Sequence, residues 1–123
     1  TDDAHIFRDR MVAPASSWEE PRALRLGITH APYTRVVSAL TSEGADLILA
    51  GHTHGGQIGI PGMGAIITNC DIARHYAKGL NRWEAPDGSQ AWLHVSAGLG
   101  TSPHAKVRIA TRPEASLIHV HPA

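Results

Sequence analysis

The sequence predicts a mixed fold of the α+β / α/β type, with one βαβ unit followed by mainly antiparallel strands. Three observations predict it. Two apolar runs, at residues 24–29 and 46–50, flank a segment with helical spacing. Turn-forming residues at Pro61-Gly62, Pro86-Asp87-Gly88 and Arg112-Pro113-Glu114 then break the rest of the chain into short stretches rich in β-branched and alternating residues. Each of the two early apolar runs also ends close to histidine: His30 after the first, His52 and His54 after the second.

Residues 1–22 carry Pro14, Ser16, Ser17 and Pro21 without sustained periodicity, and read as irregular structure with one short helical turn at most. Residues 24–29 read as a strand that runs into a loop at His30-Ala31-Pro32, because Pro32 disfavours a helical backbone at Ala31. Val36, Val37 and Leu40 form an i, i+1, i+4 stripe, and Gly44 stands where a helix C-terminal glycine belongs. The nearly continuous apolar run 46–50, bounded by Gly44 and Gly51, fits an interior parallel strand.

Residues 58–67 read as two short strands around Pro61-Gly62, and 68–74 as a loop. Residues 76–80 and 90–95 read as a hairpin around Pro86-Asp87-Gly88. The small-residue stretch Val95-Ser96-Ala97-Gly98-Leu99-Gly100-Thr101-Ser102 serves equally as a close approach to a ligand or as a tight structural turn. Residues 107–109 and 115–120 alternate with period two and read as a terminal hairpin.

The chemistry concentrates in Gly51-His52-Thr53-His54-Gly55-Gly56-Gln57. Two imidazoles two residues apart at a strand end can be aimed into one cavity, the surrounding glycines let the backbone come close, and neutral imidazole suits Zn, Mn, Fe and related ions. A right-handed crossover leaves both strands of the βαβ unit parallel, so His30 falls on the same edge as the pair, where open sheets bind ligands. His30, His52 and His54 are therefore the candidate metal ligands. Gln57 either positions a ligand or caps the turn.

Composition narrows the function classes. At 123 residues the chain holds one domain at most, short for a complete enzyme, with eleven acidic and eleven basic residues and no basic stripe for nucleic acid. No apolar stretch approaches the ~20 residues of a membrane span, and no signal peptide is visible. The segment reads as soluble; its location, cytoplasmic or membrane-associated through an upstream segment, is open. The single Cys70 rules out an internal disulfide and reads as a packed small residue.

On Gly51-His52-Thr53-His54, preceded by His30 at a strand end, the chain resembles the calcineurin-like metallophosphoesterase superfamily. Residues 46–57, Gly79-Leu80 and the 95–102 stretch look like its bacterial branch of YkuE-like and YaeI-like phosphoesterases. The likeness covers essentially the whole chain and corresponds to the carboxyl-terminal half of that fold, a β-sandwich flanked by helices. It implies residues 1–123 as a single partial domain of a hydrolase that cleaves phosphate mono- or diesters with a metal-bound hydroxide. The cofactors implied are two divalent or trivalent ions, Mn, Fe or Zn, with His30 and His52 on one and His54 on the other.

The family's Gly-Asp-x-x-Asp and Gly-Asn-His-Asp signatures are missing, and Asp3-Ala4-His5 matches Asp-x-His by letter only, with no apolar strand before it. The expectation is a partial site, inactive alone, whose apolar face is covered by the missing amino-terminal half or by another copy in a homo-oligomer. Two alternatives stand beside it. One is a mononuclear zinc hydrolase with His30, His52 and His54 on one ion and an open fourth position. The other is a non-catalytic interaction module on a phosphoesterase-like scaffold.

Overall fold

The structure is a computed structural model, and it describes residues 23–54, 59–60, 64–65, 70–100 and 112–121. Four strands form one mixed sheet: β1 (Leu26–Ile28), β2 (Leu47–Ala50), β6 (Gln90–Val95) and β5 (Gly79–Glu84), in the order β1-β2-β6-β5. A separate pair, β3 (Gly59–Ile60) and β4 (Gly64–Ala65), is antiparallel. One α-helix among the described residues, α1 (Thr34–Ser42), crosses from β1 to β2.

The crossover follows from local chemistry. Asp71 Oδ1 accepts from the Thr34 N–H at 2.7 Å, so a carboxylate from a distant loop caps the N-terminus of α1 and complements its dipole. At the other end Gly44 takes φ +92, its N–H donates to Thr41 O, and the Ala45 N–H donates to Leu40 O. This pair of bonds is the Schellman arrangement, which needs a left-handed residue where the glycine stands. Asp46 then starts β2: its N–H donates to Arg25 O, and its Oδ2 accepts from the Arg25 N–H.

β1, β2 and β6 run parallel, and β5 returns antiparallel to β6. The helix-side face of the sheet carries Ile48, Ala50, Ala91, Leu93, Val95 and Trp83, packed with Val37, Ala45 and Ile72 into the main core. Fully burying side chains such as Ile48 and Leu93 is worth roughly 1.5–3 kcal/mol each. Gly27 permits the close approach of α1: a Cβ there would lie 3.2 Å from Ile48 Cγ1 and 3.3 Å from Leu40 Cδ1.

The opposite face of the sheet is different. Its register gives two cross-sheet rows, Leu26-Leu47-Trp92-Arg82 and Ile28-Leu49-His94-Leu80. Leu26, Ile28, Trp92 and Leu80 remain exposed there, Ile28 by 73%.

Two expectations need correction. Residues 76–78 are not strand: Tyr76 ends the 3-10 turn Arg74–Tyr76, closed by Tyr76 N–H to Ala73 O and Ala77 N–H to Arg74 O, the chain bends at Ala77 and Lys78, and pairing with β6 begins at Gly79. Tyr76 instead turns its ring edge to Trp83, centroids 4.9 Å apart. Residues 115–120 carry no strand despite their alternation, because neither side of the alternation is buried; Leu117 is 84% exposed. Their expected partner, 107–109, lies outside the described residues, as do residues 1–22 with Asp3-Ala4-His5, the Pro61-Gly62 turn and Gly55-Gly56-Gln57.

Candidate metal centre

The carboxyl ends of the three parallel strands converge. The Gly51 N–H donates to His30 O at 3.0 Å and the Ser96 N–H to Ala50 O at 2.9 Å, so the ladder continues past the strand ends and fixes His30, the histidine turn and the start of the 96–100 loop side by side. β6, more than 40 residues on from the histidines, is thus the third wall of this edge.

His30 Nε2 and His52 Nδ1 stand 3.0 Å apart with ring centroids at 4.8 Å and planes at 66°. One ring N–H donates to the other ring's lone pair. The spacing also suits coordination: with bonds of about 2.1 Å, nitrogens on neighbouring vertices of an octahedral ion are separated by about 3.0 Å, and those on a tetrahedral ion by about 3.4 Å. Two neutral imidazole donors of this kind fit a borderline transition-metal ion. Loading it requires the donor ring to change tautomer, so that both facing nitrogens present lone pairs.

The backbone that presents them is strained. His52 has φ +65 and His54 φ +48, both in the left-handed region that bulky residues seldom enter. The Thr53 N–H donates to Gly51 O at 2.7 Å, an i to i+2 bond around His52 that marks the rare, strained γ-turn. The sequence reading had the flanking glycines let the backbone come close, and of these Gly51 lies within the described residues. Gly51 has no positive φ, and a Cβ added to it would meet only His30 O at an ordinary 3.7 Å, so the positive φ angles fall on the histidines themselves. Between the two rings Thr53 points inward, 1% exposed, and its hydroxyl donates to Ala77 O at 2.7 Å.

His54 turns elsewhere. Its Nδ1 lies 3.2 Å from Gly100 O. A carbonyl only accepts, so this contact requires the Nδ1–H form and leaves Nε2 with a lone pair. The structure therefore brings His30 and His52 together and directs His54 toward the 96–100 loop. Among the described residues no group of three or more His, Cys, Asp or Glu side chains gathers at one point. The partners missed in the sequence, Ala77 O and Gly100 O, are backbone carbonyls with no residue-type signal; only the glycines of the 95–102 stretch hinted at the second.

Electrostatics near the edge comes from Lys78 and Glu114, whose Nζ and Oε2 are 2.6 Å apart. The bond from Lys78 holds the Glu114 carboxyl below its ordinary value. On the far side of α1, burial first and the Asp71 charge second push the Cys70 thiol up to about 12. Cys70 packs against the core as a neutral thiol rather than serving as a nucleophile.

Comparison with known proteins gives one relative. The chain is 31% identical over 107 residues to Phosphodiesterase YaeI of Escherichia coli (strain K12), across 87% of this chain and 35% of that protein. It thus spans about a third of the length of the curated relative it matches. No family model and no solved structure matches. No helix among the described residues is long and apolar enough to cross a membrane. What the comparison establishes is a distant likeness to a phosphodiesterase.

Proposed function

We propose that this chain carries the histidine side of a metal-dependent phosphoesterase centre of the calcineurin-like kind. The observation that carries this reading is the pair of ring nitrogens 3.0 Å apart on adjacent parallel strand ends, presented by a turn strained at both histidines. Strain of this sort costs on the order of 1–3 kcal/mol per residue and is concentrated at functional sites. The likeness to a named phosphodiesterase supports the same reaction class.

In this reading His30 and His52 hold one ion, and His54, its Nδ1 turned to Gly100 O, serves a second through Nε2. Mn, Fe or Zn ions bound there would neutralise phosphate oxygens and acidify a water for attack on phosphorus. Thr53, anchored through its hydroxyl to Ala77, fixes the turn between the two ligand rings. The remaining oxygen donors come from outside the described residues. Whatever part of the protein supplies them, or a second copy, also covers the apolar face of Leu26, Ile28, Leu80 and Trp92, completing a sandwich. A single zinc held by all three histidines is the weaker reading, because His54 is tied to the 96–100 loop rather than to the other two rings.

The test is hydrolysis of bis(p-nitrophenyl) phosphate with added Mn by the complete gene product, as wild type and as His30→Ala, His52→Ala and His54→Ala. Metal-dependent turnover that falls by on the order of a hundredfold or more in each variant supports the reading. Turnover indifferent to all three substitutions overturns it. These 123 residues assayed alone should show little or none.

A further inference from the structure

We propose that the Lys78–Glu114 ion pair is a positioning latch that fixes the tautomer of His54. It rests on the metal-centre reading for its purpose and on the contacts around the histidine turn for its existence. Four links form a closed circuit around the histidine turn. The Thr53 hydroxyl, midway between His52 and His54, donates to Ala77 O at 2.7 Å. The next residue, Lys78, reaches Glu114 with its Nζ at 2.6 Å. The Glu114 N–H donates to Gly98 O at 2.9 Å. Two residues on, Gly100 O takes the contact from His54 Nδ1 at 3.2 Å.

Each link has a reason to be there. Residues 112–121 form no strand with the sheet, and the backbone bond at Glu114 ties this segment to the 96–100 loop while its ion pair ties it to Lys78. That loop is built from small residues, with Gly98 at φ +64 and its N–H on Ser96 Oγ at 3.1 Å. Ala97 is buried, whereas Leu99 beyond it is 71% exposed. A weight on Gly98 O from one side is therefore a direct way to set where Gly100 O points. Ser116 Oγ donates to Glu114 Oε1 at 3.1 Å and so orients the carboxylate toward Lys78.

The consequence is chemical. A histidine ligand that donates Nδ1–H to a fixed carbonyl offers Nε2 to a metal in a defined direction, and removing such a partner costs on the order of tenfold or more in affinity. Glu114 and Lys78 touch no reacting atom. They act through Gly98 and Gly100 on one side and through Ala77 and Thr53 on the other.

The experiment is long-range proton–nitrogen NMR of the histidine rings in the whole chain, without metal, for wild type, Glu114→Gln, Lys78→Met and the swapped pair Lys78→Glu with Glu114→Lys. His54 resonances are assigned by loss in His54→Ala. The latch predicts a predominantly Nδ1–H ring in wild type, a mixture of tautomers in either single variant, and recovery in the swap. Mn titration of the same proteins should weaken by on the order of tenfold in the singles and recover in the swap. An unchanged His54 pattern in folded Glu114→Gln overturns the latch, as does failure of a folded swap to restore the wild-type pattern. Because the tautomer is read without metal, a wild type that binds no Mn would sink the metal reading while leaving this test intact.

Discussion

His30 Nε2 and His52 Nδ1, on adjacent parallel strand ends, share one proton across 3.0 Å. The contact joins residues 22 apart in sequence and depends on the β1–β2 register, in which Ile28 stands opposite Leu49 and the Gly51 N–H reaches His30 O. Any change that slips this register by one residue separates the rings and turns the apolar face of β2 over.

Strain at the histidines gives the first prediction. His52→Ala and His52→Gly both lose the contact with His30, but only glycine relaxes φ +65. The glycine variant should therefore be more stable than the alanine variant by on the order of 1 kcal/mol. Urea unfolding of the two checks this, and equal midpoints would mean the turn stores no strain.

The open sheet face gives the second. Ile28, Leu80 and Trp92 are exposed beside His94, whose Nε2 is buried without a partner. A buried unsatisfied polar group costs about 1–3 kcal/mol, so His94→Leu should hold or raise stability rather than lower it. The protein should also associate as its concentration rises, and Ile28→Lys should suppress this. Light scattering across a dilution series reads both proteins; a monomer at all concentrations contradicts the prediction.

Cys70 gives the third. With its thiol pushed up to about 12, chiefly by burial, alkylation by iodoacetamide should be slow at neutral pH and keep rising past about pH 10 without levelling. A plateau near the ordinary thiol value would show that burial does not control it.

Glu114 gives the fourth. Its carboxyl is held below its ordinary value in the fold, first by the bond from Lys78. A group lowered in the folded state contributes stability that is present above its unfolded value and lost as pH falls through its folded value. The 112–121 segment should therefore loosen as pH drops below about 4.5, followed by amide exchange at Glu114, whose N–H bonds Gly98 O. Lys78→Met should loosen the segment already at neutral pH and flatten its dependence on pH. An identical profile in the variant would separate the docking from the ion pair.

Much of the βαβ unit was legible in the sequence because local signals agreed there. The Val36, Val37, Leu40 stripe and Gly44 mark a helix and its end, and the structure places α1 and a Schellman close at those positions. The apolar run before Gly51 marks an interior strand, and β2 lies between β1 and β6. The parallel pairing of β2 with β6 was not legible, since nothing local in residues 90–95 distinguishes a hairpin strand from one that also extends a parallel sheet. Alternation misled at residues 115–120, where period two exists without a face to bury. At the site, residue type revealed His30, His52 and His54, but the carbonyls of Ala77 and Gly100 that orient them are set by tertiary position alone.

The most direct test of the account is calorimetric titration of the protein with Mn and Zn, as wild type, His30→Ala, His52→Ala and the double variant. If His30 and His52 share an ion, each single substitution weakens binding by a similar factor, and the double variant is little worse than either. Affinity unchanged in the double variant would place the ion elsewhere, for instance on the stacked rings of His119 and His121, and would contradict the central claim.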